Sequence, residues 1–164
     1  MLGIFLFLSC LTTALYSQEI SEKEGKKVLE QIRREIQTEE KAKQKAIEDA
    51  EKTRIAIEKA EEKKGKKITT VDLSKIESAA TSHFIICEGQ STTQVMAIAD
   101  SIREYVLQNT GIKPFGYDGY QNGQWIVIDY GNILAHIFLP EYRNYYKLEQ
   151  LWNDAKLAEI PDVE

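Results

Sequence analysis

The sequence predicts an α/β (α+β) domain, a mixed sheet of about five strands flanked by helices, behind a charged N-terminal helical arm. Three observations carry this. Between residues 68 and 139, short runs rich in Ile, Val and Phe are bounded by Gly, Ser and Asn, the pattern of strands and turns. One stretch, residues 92–109, keeps helical spacing behind a capping signal instead. Residues 18–67 lack proline and are dominated by Glu, Lys, Ala, Gln and Ile, a composition that favours helix. A chain of 164 residues that is 43% hydrophobic can bury one real core and carry an appendage.

The arm comes first. Val28, Leu29, Ile32 and Ile36 keep helical spacing, but the stripe nearly vanishes over residues 39–45 and resumes thinly at Ala46, Ala50 and Ile57. That is a solvated charged helix rather than a coiled-coil seam. Residues 55–62 are expected to pack on the domain as its first helix, with Gly65 where a C-cap belongs.

Residues 68–73 (ITTVDL) and 83–88 (HFIICE) read as strands. Ser91 is placed as an N-cap with Gln94 three residues on, a capping box. The helix behind it puts Val95, Ile98, Ala99, Ile102, Tyr105 and Val106 on one face and ends near Gly111. Residues 116–120 are a weak strand, and Asn122 and Gly123 signal a turn. Residues 125–130 (WIVIDY) and 133–139 (ILAHIFL) form a hairpin around a two-residue turn at Gly131 and Asn132. Pro140 and Glu141 open a last helix reaching about Trp152, followed by an acidic tail. The expected divisions are therefore an apolar segment 1–17, the arm 18–52, the domain 53–153 and a tail 154–164.

The hairpin register decides what its faces offer. Pairing Tyr130 with Ile133 places Ile126, Ile128, Tyr130, Ile133, Ala135 and Ile137 on an apolar face. The other face holds Trp125, Val127, Asp129, Leu134, His136 and Phe138. An acid and an imidazole on that face could bond to each other under the last helix or contact a partner. A catalytic dyad lacks a neighbouring nucleophile or second acid. Gly89 and Ser91 before a helix could hold an anion, although capping accounts for them. His83 and Cys87 share a strand face but are too few to be a metal site. No cofactor and no metal are expected.

Charge narrows the partner. Residues 68–164 carry 13 acidic and 6 basic side chains, a net of −7, which opposes direct nucleic-acid readout and suits a basic protein surface. Residues 1–17 form an apolar run without a basic flank. An export signal, a membrane anchor and a start upstream of the domain are the three readings of it.

The ordered segments resemble one family. Ile85, Ile86, Cys87, Glu88 and Gly89, then Ser91, Thr92 and the run 95–100 (VMAIAD), look like the strand-to-helix segment of the ribosomal silencing factors of the RsfS/Iojap family. Trp125, Asp129, Gly131 and His136 match its W-x-x-x-D-x-G-x-x-x-x-H pattern. Glu141, Arg143, Tyr146, Leu148, Glu149, Leu151 and Trp152 match its closing E-x-R-x-x-Y-x-L-E-x-L-W. The resemblance implies a nucleotidyltransferase-like fold without the activity. It also implies binding to the large ribosomal subunit through its fourteenth protein, which blocks small-subunit docking and represses translation when nutrients run short. A cytoplasmic location follows from the resemblance, against the export or membrane readings of residues 1–17. A nucleotide-dependent enzyme is the alternative function, but Asp100 and Glu104 lie on a helix and Asp129 has no acidic partner on its strand. The expected partner-binding patch is Trp125, Asp129, His136, Glu141, Tyr146, Glu149 and Trp152. Within it, Tyr146, Glu149 and Asp129 are expected to face the partner, and Leu148 and Leu151 to be core.

Overall fold

The computed structural model describes the backbone of residues 2–162 and the side chains of residues 22–162. The elements in order are α1 (Leu2–Glu62), β1 (Lys66–Asp72), β2 (His83–Glu88), α2 (Thr92–Thr110), β3 (Gly116–Asp118) and β4 (Trp125–Asp129). Then come β5 (Ile133–Phe138), α3 (Pro140–Tyr146), α4 (Leu148–Leu151) and β6 (Lys156–Ile160). The six strands form one sheet in the order β3-β4-β5-β2-β1-β6. Only β2 and β5 are parallel, with α2 in the long connection between them.

The chain divides into two units, residues 1–46 and 47–164. In the first unit the described side chains of α1 are exposed, including Val28, Leu29, Ile32 and Ile36. Ion pairs Glu22–Lys26 (2.7 Å), Glu30–Arg34 (3.3 Å) and Glu39–Lys43 (3.7 Å) follow i,i+4 spacing, each worth a few tenths of a kcal/mol. The side chains of residues 1–17, and with them the signal or anchor readings, lie outside the described residues. Among the described residues, no helix is long and apolar enough to cross a membrane.

The second unit begins at residue 47, earlier than the expected boundary at 53. Ile55, Ala56 and Ala60 of α1 are buried with Val95, Ile98, Ala99, Ile102 and Val106 of α2. Asp49 reaches further, accepting from the Asn132 side chain (2.8 Å) and from Lys52 (3.3 Å). These polar ties are invisible in a hydrophobic pattern, which shows only the apolar turn from Ile55 onward. Gly65 is not the left-handed residue at the helix end; Lys64 is, at φ 56°. Gly65 serves close approach, since a Cβ there would stand 2.8 Å from the Ala60 carbonyl oxygen.

The hairpin has the expected register, with Trp125 opposite Phe138, Val127 opposite His136 and Asp129 opposite Leu134. The predicted apolar face lies in the main core against α1 and α2. The sheet's other face carries a second core of Val71, Leu73, Phe84, Ile86 and Phe138, packed by Trp125, Tyr142, Leu148 and Trp152.

Residues 156–160 are a correction. Expected as part of an acidic tail, they form β6, pairing antiparallel with β1 from Ile68–Ile160 to Asp72–Lys156. Its side chains are mostly exposed and it lies at the sheet edge, where charged residues and a following proline are tolerated. Backbone pairing holds it, so it lacks an alternating apolar signature.

Because residues 47–62 complete the core, a chain starting at Lys45 is expected to keep its fold. Urea unfolding checks this; a midpoint well below that of the full chain would show that residues before Lys45 contribute to the stability of the domain.

Candidate functional site

The second face gathers the aromatic residues. β4 and β5 bring Trp125, His136 and Phe138 together: Trp125 stacks on Phe138 with centroids 4.9 Å apart and lies 5.8 Å from His136. α3 sets Tyr146 on Trp125 at 4.8 Å, and Trp152 meets Phe84 edge-on at 6.1 Å. Tyr146 also touches Tyr145 at 5.1 Å. Offset and edge contacts of this kind add to what burial alone contributes.

Asp129 and His136 do not bond to each other. The Gly131 backbone N–H donates to Asp129 Oδ1 (2.6 Å), closing a turn that Gly131 makes at φ 84°. The Trp125 indole N–H donates to His136 Nδ1 (3.2 Å). That bond places the imidazole proton on Nε2, which is buried without a partner. Burial pushes His136 down to about 4, so it is neutral at physiological pH. A neutral, buried imidazole held by tryptophan is packing, and it cannot relay protons to Asp129.

The last helix is broken. Lys147 takes φ 48°, ψ 50° and separates α3 from α4. One end of the break is held by Arg143, itself only 9% exposed. Its guanidinium donates to Glu149 (Nε, 2.7 Å), the Lys67 carbonyl (2.7 Å) and the Thr69 hydroxyl (3.0 Å), and pairs with Glu88 at 3.5 Å. Glu149 is therefore engaged inward. Leu151, expected in the core, is 73% exposed, because the break turns α4 away from the stripe a continuous helix would have kept.

The glycine turn before α2 is likewise engaged. Ser91 accepts from the Gln94 backbone N–H (3.2 Å). The Gln94 side chain accepts from the Gln90 N–H (2.8 Å) and donates to the carbonyls of Lys63 and Lys64, both at 3.0 Å, satisfying the end of α1. Asp100 takes the Tyr120 hydroxyl at 2.9 Å. Burial raises the Cys87 thiol to about 12, leaving it inert. Among the described residues, no three His, Cys, Asp or Glu side chains gather as metal ligands would.

The face thus presents exposed aromatics, Tyr145 and Tyr146, over a packed aromatic base of Trp125, His136 and Phe138. The family model described as "Ribosomal silencing factor during starvation" matches residues 43–164. The chain belongs to this family. A ribosomal silencing factor of Halalkalibacterium halodurans is 33% identical over 117 residues, covering 71% of this chain and 98% of that one. A crystal structure of a Chromobacterium violaceum protein superposes with a TM-score of 0.59 at 34% identity, covering 70% of this chain and 95% of that one. More distantly, the mouse protein named "Mitochondrial assembly of ribosomal large subunit protein 1" is 31% identical over 86 residues, covering 49% of this chain and 38% of its own.

In this member of the family, the residues read from sequence fall into two sets. Tyr146, 45% exposed, and Glu141 are exposed on α3. Trp125, Trp152 and Asp129 are half-buried, and His136 is buried beneath them. Sequence reasoning passed over Tyr145, 80% exposed, as a contact, and placed Leu151 inside. The doubled tyrosine at 145 and 146 was the available signal, since two large polar-tipped rings side by side on so short a helix are hard to bury together.

Proposed function

We propose that this protein binds the large ribosomal subunit in the cytoplasm, through its fourteenth protein, and so blocks small-subunit joining and represses translation under nutrient limitation. The contact is made by the α3–α4 surface. The observation that carries this reading is the exposed apolar set Tyr145, Tyr146 and Leu151, standing on the Trp125–Phe138 stack in a unit whose residues 68–164 carry a net charge of −7. Aromatics supply large contact area at low entropic cost, and acidic surroundings steer toward basic ribosomal proteins. Family membership supports the ribosomal setting, and the mouse relative's name supports the large subunit. Of the patch read from sequence, Tyr146 and Glu141 meet the partner while Trp125, His136 and Trp152 support them. Asp129 and Glu149 serve the turn and the Arg143 pair, so lysine at either would disturb the fold and test nothing about contact.

Tyr146→Ala is expected to weaken binding to purified large subunits at least about fivefold, the hot-spot threshold of about 1 kcal/mol. Glu141→Lys should slow association and lower its salt dependence while leaving the thermal midpoint nearly unchanged. Binding kinetics at two salt concentrations measure both. Parental binding by both variants would move the contact elsewhere on the domain.

A further inference from the structure

The structure assigns Glu149 and Arg143 a positioning role: their bond fixes the corner between α3 and α4 so that Tyr145, Tyr146 and Leu151 are presented together to the protein partner. This rests on the surface proposed above, and it adds a residue that acts without touching the partner.

Three observations converge on the pair. First, the corner has no helical continuity to hold it. Lys147 stands in the left-handed region, which a residue with a side chain rarely adopts unless its surroundings impose it. α4 is only four residues long and buries none of them fully; Leu148 packs on the second core at its start, and one such contact leaves the direction of so short a helix open. Secondly, the contacts across the corner converge on Arg143. One oxygen of Glu149 on α4, Oε1, lies 2.6 Å from Arg143 Nη2 and accepts from its Nε at 2.7 Å, so two guanidinium nitrogens hold a single carboxylate oxygen. The same guanidinium is anchored to β1 through the Lys67 carbonyl and Thr69, and to β2 through Glu88. Beside the packing of Leu148 and Trp152, α4 is thereby tied to the sheet through one buried cation. Thirdly, the residues to be presented sit on both sides of the corner, Tyr145 and Tyr146 before Lys147 and Leu151 after it. A change in the corner angle would separate them.

A carboxylate this placed has two possible uses, and they differ in what a neutral amide does. If Glu149 paired with a basic partner, its charge would matter and glutamine would fail as alanine does. As a positioning group it needs an acceptor for the Arg143 Nε–H, which glutamine retains.

The test measures equilibrium binding of the full chain to purified large subunits, well below the thermal midpoint, for Glu149→Ala, Glu149→Gln, Tyr146→Ala and the double variant Tyr146→Ala/Glu149→Ala. Glu149→Ala should bind at least about fivefold more weakly, and Glu149→Gln should recover most of that loss. The double variant should lose clearly less than the product of the two single losses, because part of what Glu149 does is to present the Tyr146 ring that is already gone. In the free protein, with Trp125→Phe leaving Trp152 as the reporter beside the corner, Glu149→Ala should raise acrylamide quenching and Glu149→Gln should not. Glutamine as weak as alanine, or a double variant showing the product of both losses, would overturn the positioning role in favour of direct contact. Parental binding by Tyr146→Ala with a clear quenching contrast would discard the surface, and the role in presenting it, while showing that the pair holds the corner.

Discussion

Arg143→Met is expected to lower the unfolding free energy by about 3–5 kcal/mol, the usual cost of stranding one partner of a buried ion pair. The effect follows from what the guanidinium leaves behind. Glu88 has a side chain only 3% exposed, and Lys67 at 3.4 Å would be its remaining cationic neighbour. The buried Thr69 hydroxyl would lose the Arg143 donor, adding a desolvation cost, while the part-buried Lys67 carbonyl would keep only the Thr69 hydroxyl at 3.5 Å. Methionine fills the volume without a charge, so the loss is electrostatic rather than a cavity. Urea unfolding should show a lower midpoint with an unchanged slope. The double variant Glu88→Leu/Arg143→Met should recover part of the loss, since an apolar pair does not bury an orphaned charge. A single variant within 1 kcal/mol of the parent would show that the network is not holding the sheet to α3.

The second large effect is a pH dependence centred on His136. Its folded pKa is lowered by burial to about 4 from 6.5. The folded state therefore resists a proton that the unfolded chain accepts. Above about pH 6.5 neither state binds it and stability is complete; between about 6.5 and about 4 the unfolded state alone gains it, and stability falls with pH. Below about 4 both are protonated and this contribution levels off. Each pKa unit corresponds to about 1.4 kcal/mol, so the loss approaches about 3 kcal/mol across the window. The residue is only 5% exposed, so solvent screening does not erase the effect. His136→Gln, whose amide oxygen can accept from the Trp125 indole, removes the titrating group. Thermal midpoints from pH 7.5 to 4.5 should fall more steeply for the parent than for this variant. Parallel curves would mean that His136 titrates normally. Because the imidazole stays neutral between pH 6 and 8, it should not make ribosome binding pH-sensitive there.

The sheet's centre was legible because its signals are local. The turn at Gly131 and Asn132 fixed the hairpin register, and alternation then sorted Ile126, Ile128 and Ile137 inward and Trp125 and Asp129 outward. Ser91 and Gln94 marked the start of α2 in the same way, although Gln94 reaches the Gln90 N–H and the end of α1 rather than closing back on Ser91. What escaped depends on distant partners. β6 exists because β1 offers an open edge, and no residue in Lys156–Ile160 announces it. The break at Lys147 has no glycine to signal it, so Leu148 and Leu151 read as one core stripe. Glu149 looked like a surface acid because Arg143, six residues earlier, cannot be seen to be buried from sequence.

The pairing of β1 with β6 has a consequence for biosynthesis. Thr70 on β1 bonds the carbonyl of Ala158, 88 residues later in the chain. As the polypeptide leaves the ribosome, β1 must wait for β2 to cover one edge, and far longer for the strand that covers the other. Through that interval the nascent domain shows an unsatisfied row of backbone groups, the kind of template that recruits foreign strands. The side chains of β1 answer this in part: Lys66, Lys67, Thr69 and Thr70 are polar, so the waiting edge lacks the apolar run that aggregation favours. The polar side chains that tie β1 to Arg143, Glu88 and β6 in the folded domain would thus also guard its edge while the chain is still being made.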